Sequence, residues 1–153
     1  MEFVFLERDN RKACVRAEWA DAIAGALLNG DNCSPFGEAG RGALQRFPYE
    51  AGHGILRVYR RGGFVRHFIA DAYLLQNRAL RELRLHAFLF ENGLSVPAPL
   101  GAAWKRSGLV FRGAIATDEV NAVDLAEYLR GDPSNADETI RECGALIRRK
   151  CSA

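Results

Sequence analysis

Residues 64–92 are the longest tract with a helical repeat, and strand-like segments joined by short turns stand on both sides of it. Leu80, Leu83, Ala87 and Phe90 recur at three- and four-residue spacing, with Arg81, Glu82, Arg84 and Glu91 between them. That spacing is the apolar stripe of an amphipathic helix, and Asn92-Gly93 closes it. Before the helix, residues 43–49 and 55–60 suit strands around a turn at 50–54. After it, 99–104 and 109–116 suit strands around a turn at 105–108. Strands joined this closely are antiparallel neighbours. One long helix set between two hairpins does not make alternating βαβ units, so the class is α+β. A strand at 2–7 brings the expected sheet to about five.

The remaining segments fill in around this frame. Trp19, Ile23 and Leu27 lie four apart within 18–28, one helical stripe that Asn29-Gly30 ends. Residues 31–42 are dense in turn formers. Pro48 belongs at a sheet edge or a strand end, and Pro97 and Pro99 keep 95–99 extended. A short helix is expected at 122–130, then a turn at 131–133. Ser134 and Asp137 resemble a capping box for a last helix at 135–150, whose Arg148, Arg149 and Lys150 suit a negative helix end. With 48% hydrophobic residues among 153, the chain has material for a core, and disorder throughout is excluded. No apolar run approaches the ~20 residues of a membrane span. The first residues lack a basic stretch followed by an apolar one, so a cytoplasmic protein is expected.

Net charge is only +2, but it is unevenly placed. Residues 1–40 carry a net of −3, residues 41–112 a net of +8 and residues 113–153 a net of −3. A basic block of this kind attracts phosphates, anionic headgroups or nucleic acid, although a solvated arginine-rich surface looks the same. Cys14, Cys33, Cys143 and Cys151 form no C-x-x-C pair, and His53, His67 and His86 are scattered. The cysteines read as reduced thiols, and no metal site is expected.

Three features carry possible chemistry. Gly37, Gly40 and Gly42 make a G-x-x-G-x-G loop, whose backbone N–H groups can approach phosphate oxygens. It fits neither the dinucleotide nor the Walker pattern, and it leads into a strand. A glycine loop between two antiparallel strands, covering a nucleotide, is the arrangement it suits. Arg57, on the next strand, stands where a kinase strand offers a cation to phosphates. Glu82, on the long helix, is placed to pair with that cation. Each also has an ordinary reading: a plain turn, a surface arginine, and an i,i+4 partner of nearby arginines. Their order on these elements is what makes them a constellation.

The stretches GRGAL (40–44), GILRVYRRGGFVRHFIADAYL (54–74) and RALRELRLHAFLFENGLSVPAPLGAAW (78–104) resemble the lipopolysaccharide kinase family, which includes Kdo kinases and core heptose kinases. The resemblance covers about 37–130. It implies a protein-kinase-like N-lobe at 37–121, preceded by an N-terminal extension at 1–36 and followed at 122–153 by the start of a truncated C-lobe. Gly40, Arg41 and Gly42 would cover the phosphates, Arg57 would replace the usual lysine, and Glu82 would be its helix partner. Thr117, Asp118, Glu119 and Val120 would form the hinge that meets adenine. Arg60, Arg61 and Arg66 would face an anionic acceptor or the inner membrane surface.

The implied full enzyme uses ATP and Mg²⁺ to phosphorylate a sugar hydroxyl of a lipid-linked core oligosaccharide. Two departures stand out. Arginine is a wide fork where lysine is a point charge. No H-R-D-like or D-F-G-like motif follows the last helix, so this chain by itself is expected to be inactive. The last helix would then dock on the sheet, form a homo-oligomer or expose an apolar stripe. The alternative is a non-catalytic module that binds a nucleotide or a partner. Nucleic-acid binding, through Phe47, Tyr49, Tyr59, Phe64 and Phe68 beside the arginines, ranks below both because those aromatics also fit core positions.

Overall fold

The computed structural model describes residues 1–37, 44–59, 77–107, 110–122, 125–131 and 133–151. Its centre is one antiparallel sheet. In chain order the strands are β1 (Phe3–Arg8), β2 (Arg11–Arg16), β3 (Ser34–Phe36), β4 (Leu44–Tyr49), β5 (Gly52–Val58), β6 (Pro99–Ser107) and β7 (Val110–Asp118). They lie in the order β1-β2-β6-β7-β5-β4-β3. Among the described residues the sheet therefore has seven strands, which corrects the expectation of about five.

The two additional strands escaped periodicity for different reasons. In β2, Ala13, Cys14 and Val15 are all buried, because helices cover both faces of the sheet here. No polar alternation is left to read. Asp9 and Asn10, both at positive φ, make the two-residue turn that joins β1 to β2. β3 has only three residues and contains Pro35, which suits an edge strand. Its pairing with β4 stops at Arg46, so among the described residues Pro48 also sits where β4 has no strand neighbour on that side.

The turn at 50–54 is shorter than expected. Strand β5 already begins at Gly52, opposite Tyr49. Gly54 explains why glycine belongs inside this strand: a Cβ there would lie 2.3 Å from Phe47 Cζ and 2.8 Å from Leu100 Cδ1.

Each face of the sheet carries a helix. On one, the segment 17–29 runs from a short 3₁₀ turn through α1 (Ala20–Ala24) into a π turn at Gly25–Asn29. Gly30, at φ 81°, ends it by donating to Ala26 O, while Asp31 N–H reaches Gly25 O, a left-handed stop of the expected kind. Ile23, Leu27 and Leu28 pack there with Val15, Phe47, Leu56 and Leu100. On the other face lies α2 (Arg78–Glu91), capped by Asn77 Oδ1, which accepts from Leu80 N–H at 3.2 Å. Its Ala79 and Leu83 are buried against Cys14 and Ala102. Of the tract expected at 64–92, residues 64–76 lie outside the described residues. Beyond β7, α3 (Leu125–Gly131) and α4 (Ala136–Cys151) follow. Helix α4 leaves Ile140, Leu146 and Ile147 exposed. Among the described residues no helix is long and apolar enough to cross a membrane.

Candidate functional site

Register places the site. Arg57 stands between Leu44 on β4 and Ile115 on β7, and Ile55 stands between Arg46 and Thr117. Alternation along β5 then sends Ile55 and Arg57 to the α2 side of the sheet and Leu56 to the opposite core. Glu82, Leu85, His86 and Leu89 form a stripe of α2 at i, i+3, i+4 and i+7 spacing. The two rows face each other across a cleft of about 410 Å³, which Leu44, Pro97, Ile115 and Thr117 also line. The walls are mostly apolar, with Arg57 and Glu82 as opposed charges.

Arg57 Nη2 donates to Glu82 Oε2 at 3.1 Å, so the two residues singled out in the sequence meet. The ordinary reading of Glu82 is also correct, since Arg78 Nε donates to Oε1 at 2.8 Å from one turn earlier. A third donor comes from Tyr59, whose hydroxyl donates to Oε2. Tyr59 is held at the end of β5 by its own N–H, which reaches Gly113 O at 2.9 Å. In the sequence Tyr59 stood out only as an aromatic beside the arginines; its bond to Glu82 was missed, because the hydroxyl meets a helix 23 residues away.

Burial alone would raise the Glu82 carboxyl. The bonds from Tyr59 and Arg78, with the charges of Arg78 and Arg57, outweigh that and hold it below the ordinary glutamate value. The Tyr59 hydroxyl is pushed well above the usual phenol value, by burial first and then by its bond to Glu82. It is therefore a donor at any physiological pH. Arg57 is half exposed and keeps further N–H groups beyond the one on Glu82.

The connector at 117–120 borders the same cleft. Thr117 lines it, and Asp118 ends β7. Asp118 N–H donates to Ala98 O and Glu119 N–H to His53 O, both at 2.8 Å. Asp118 Oδ1 accepts from the Tyr49 hydroxyl at 2.8 Å. Glu119 Oε2 accepts from Arg46 Nε at 2.9 Å and from Nη2 at 2.8 Å, with His53 Nδ1 at 3.9 Å. Arg46 is a further residue the sequence did not single out, and Tyr49 stood out there only as an aromatic beside the arginines. Val120 is exposed.

Gly40, Arg41 and Gly42, like Arg60, Arg61 and Arg66, lie outside the described residues. The strands flanking the glycine loop, β3 and β4, do pair antiparallel. Among the described residues no three metal-ligating side chains converge. Both oxygens of Glu82 accept hydrogen bonds from these donors.

The model of the lipopolysaccharide kinase (Kdo/WaaP) family matches residues 28–152. The chain belongs to this family. It is 36% identical over 126 residues to a 3-deoxy-D-manno-octulosonic acid kinase of Xylella fastidiosa (strain M12), covering 78% of this chain and 49% of the relative. A kinase of the same name from Xanthomonas campestris pv. campestris (strain B100) is 36% identical over 104 residues, covering 65% of this chain and 42% of that protein. One from Vibrio cholerae serotype O1 is 33% identical over 115 residues, covering 72% and 48%. The chain thus spans about half the length of these curated relatives. No solved structure gives a significant match.

Proposed function

We propose that the cleft is the nucleotide site of a lipopolysaccharide-type sugar kinase. In this reading residues 37–121 are a kinase-type N-lobe, 1–36 an N-terminal extension and 122–153 the start of a second lobe. The observation that carries it is the Arg57–Glu82 pair, standing between an apolar-walled cleft and a connector that leaves the sheet beside it, in a chain of this family.

The described residues fit ATP in a particular way. Leu44, Ile55 and Ile115 offer apolar surface to a base. Of the connector N–H groups at 118, 119 and 120, the first two are already donated to Ala98 and His53. Among the described residues Val120 N–H has no acceptor, and it is the one offered to a ring nitrogen of the base. Arg57 presents its remaining N–H groups to phosphate oxygens while Nη2 stays on Glu82. The guanidinium fork meets two oxygens where a lysine would meet the charge as a point. Glu82 serves by fixing Arg57, and it keeps two other donors when Arg57 shifts toward an anion. The residues 40–42 and the basic residues 60, 61 and 66 are assigned to phosphate and acceptor contacts by the family resemblance. The Mg²⁺ that such a reaction uses is assigned to none of the described residues.

In the full protein the reaction is phosphoryl transfer. A sugar hydroxyl oxygen bonds to the γ-phosphorus, the bond to the ADP oxygen breaks, and the hydroxyl proton leaves to a base. The relatives' name points to a 3-deoxy-D-manno-octulosonic acid sugar as acceptor. Titration with a fluorescent ATP analogue tests the nucleotide step. Arg57→Ala should weaken binding by about 10- to 100-fold, as for loss of charged hydrogen bonds, and Arg57→Lys should recover part of it. Equal affinity of Arg57→Ala and the unaltered chain would refute the assignment.

A further inference from the structure

The connector beside the cleft is tied to the helical segment 17–29, which packs on the opposite face of the sheet. Tyr49 ends β4 with its ring on that opposite face, where the Trp19 ring meets it edge-on at 4.9 Å and 62°. The Arg16 guanidinium lies 4.3 Å over Trp19 and is bonded to Glu18. From there the Tyr49 hydroxyl crosses the width of β5 to Asp118 Oδ1, at 2.8 Å. The two register positions it passes are Gly52, opposite Tyr49, and Gly54, opposite Asp118, so β5 places no side chain between them. The hydroxyl is a fixed donor: burial, then the bond to Asp118 and its charge, push it up to about 12 against the opposing charge of Arg16.

We infer that Tyr49 and Trp19 are positioning residues for the connector, so that the N-terminal segment sets the cleft's affinity for the base of its nucleotide without touching the nucleotide. The inference rests on the nucleotide reading above. With the Asp118 side chain held by Tyr49, the Glu119 side chain held by Arg46 and both N–H groups donated, the chain leaves β7 in one direction. Val120 N–H is then presented at a set place, and ordering it on binding costs less.

The test uses the full chain, a fluorescent ATP analogue and inorganic tripolyphosphate as competitor, with amide hydrogen exchange on the unliganded protein. Tyr49→Phe keeps the ring against Trp19 and deletes only the Asp118 bond. It should weaken the ATP analogue about three- to tenfold, as for one hydrogen bond, leave tripolyphosphate affinity unchanged, and speed exchange of the Glu119 amide. Asp118→Ala removes the same bond from the other side, so the double variant should be no worse than either single one. It also stands in if Tyr49→Phe folds poorly. Equal weakening of both ligands, or unchanged affinities with unchanged exchange, would overturn the inference. If the unaltered chain binds neither ligand, the nucleotide reading falls. The exchange arm then decides the brace by itself: a faster Glu119 amide supports it and an unchanged one sinks it.

Discussion

Replacing Tyr59 by phenylalanine removes one hydroxyl from the Glu82 cluster and leaves the ring in place. Among the described residues three donors meet the Glu82 carboxylate, and they are unequal. Arg78 is 68% exposed and Arg57 54% exposed, so each pair is screened by water and worth about 0.2–1 kcal/mol to stability. The Tyr59 hydroxyl is part-buried and donates to an ionised acceptor, a bond typically worth ~1.5–3 kcal/mol. Glu82 keeps 29% exposure, so water can partly replace the lost donor, and the lower end applies. Tyr59→Phe should therefore cost about 1.5 kcal/mol and Arg78→Ala about 0.5 kcal/mol. For a chain of this size that is a fall in Tm of roughly 3–6 °C against roughly 1–2 °C. Urea unfolding should show the midpoint moving with an unchanged m-value. An Arg78→Ala variant less stable than Tyr59→Phe would refute the ranking, and with it the argument that burial decides which donor matters.

Two other outcomes follow from the same geometry. Because the Glu82 carboxyl is held below its ordinary value of 4.5, its contribution is fully present above that value and is lost as pH falls through the lowered one. Stability of the unaltered chain should thus fall more steeply below about pH 4.5 than that of Glu82→Gln; parallel curves would mean the cluster does not favour the ionised form. Gly54→Ala forces a methyl to within 2.3 Å of Phe47 Cζ, in a core where Phe47 is 1% exposed. Such overpacking should cost about 1–3 kcal/mol, and an unchanged urea midpoint would show that Phe47 can move aside.

How much of this was legible in the sequence depended on how local the cause was. Leu80 and Leu83 mark α2 because a helix repeats its buried face every three or four residues. Asn29-Gly30 marks the end of the first helical segment because the left-handed stop needs only the backbone. Arg57 and Glu82 were legible as a pair because glycine loop, strand and helix come in a recognisable order, although nothing in their spacing makes them touch. Strand β2 was hidden by burial on both sides, and β3 by its three-residue length and its proline.

By itself, then, the sequence determined the α+β class, the two hairpins flanking a helix, and the two charged residues that face each other in the cleft. These are consequences of periodicity, turn chemistry and element order. Only the tertiary structure decided that the sheet has seven strands. It alone decided that Tyr59 is the third hand on Glu82, and that Tyr49 and Arg46 fix the acids of the connector. Those partners lie 23, 69 and 73 residues apart in the chain. Such pairs are set by strand order and register, which follow from how the whole core packs, and no local pattern of residues encodes them.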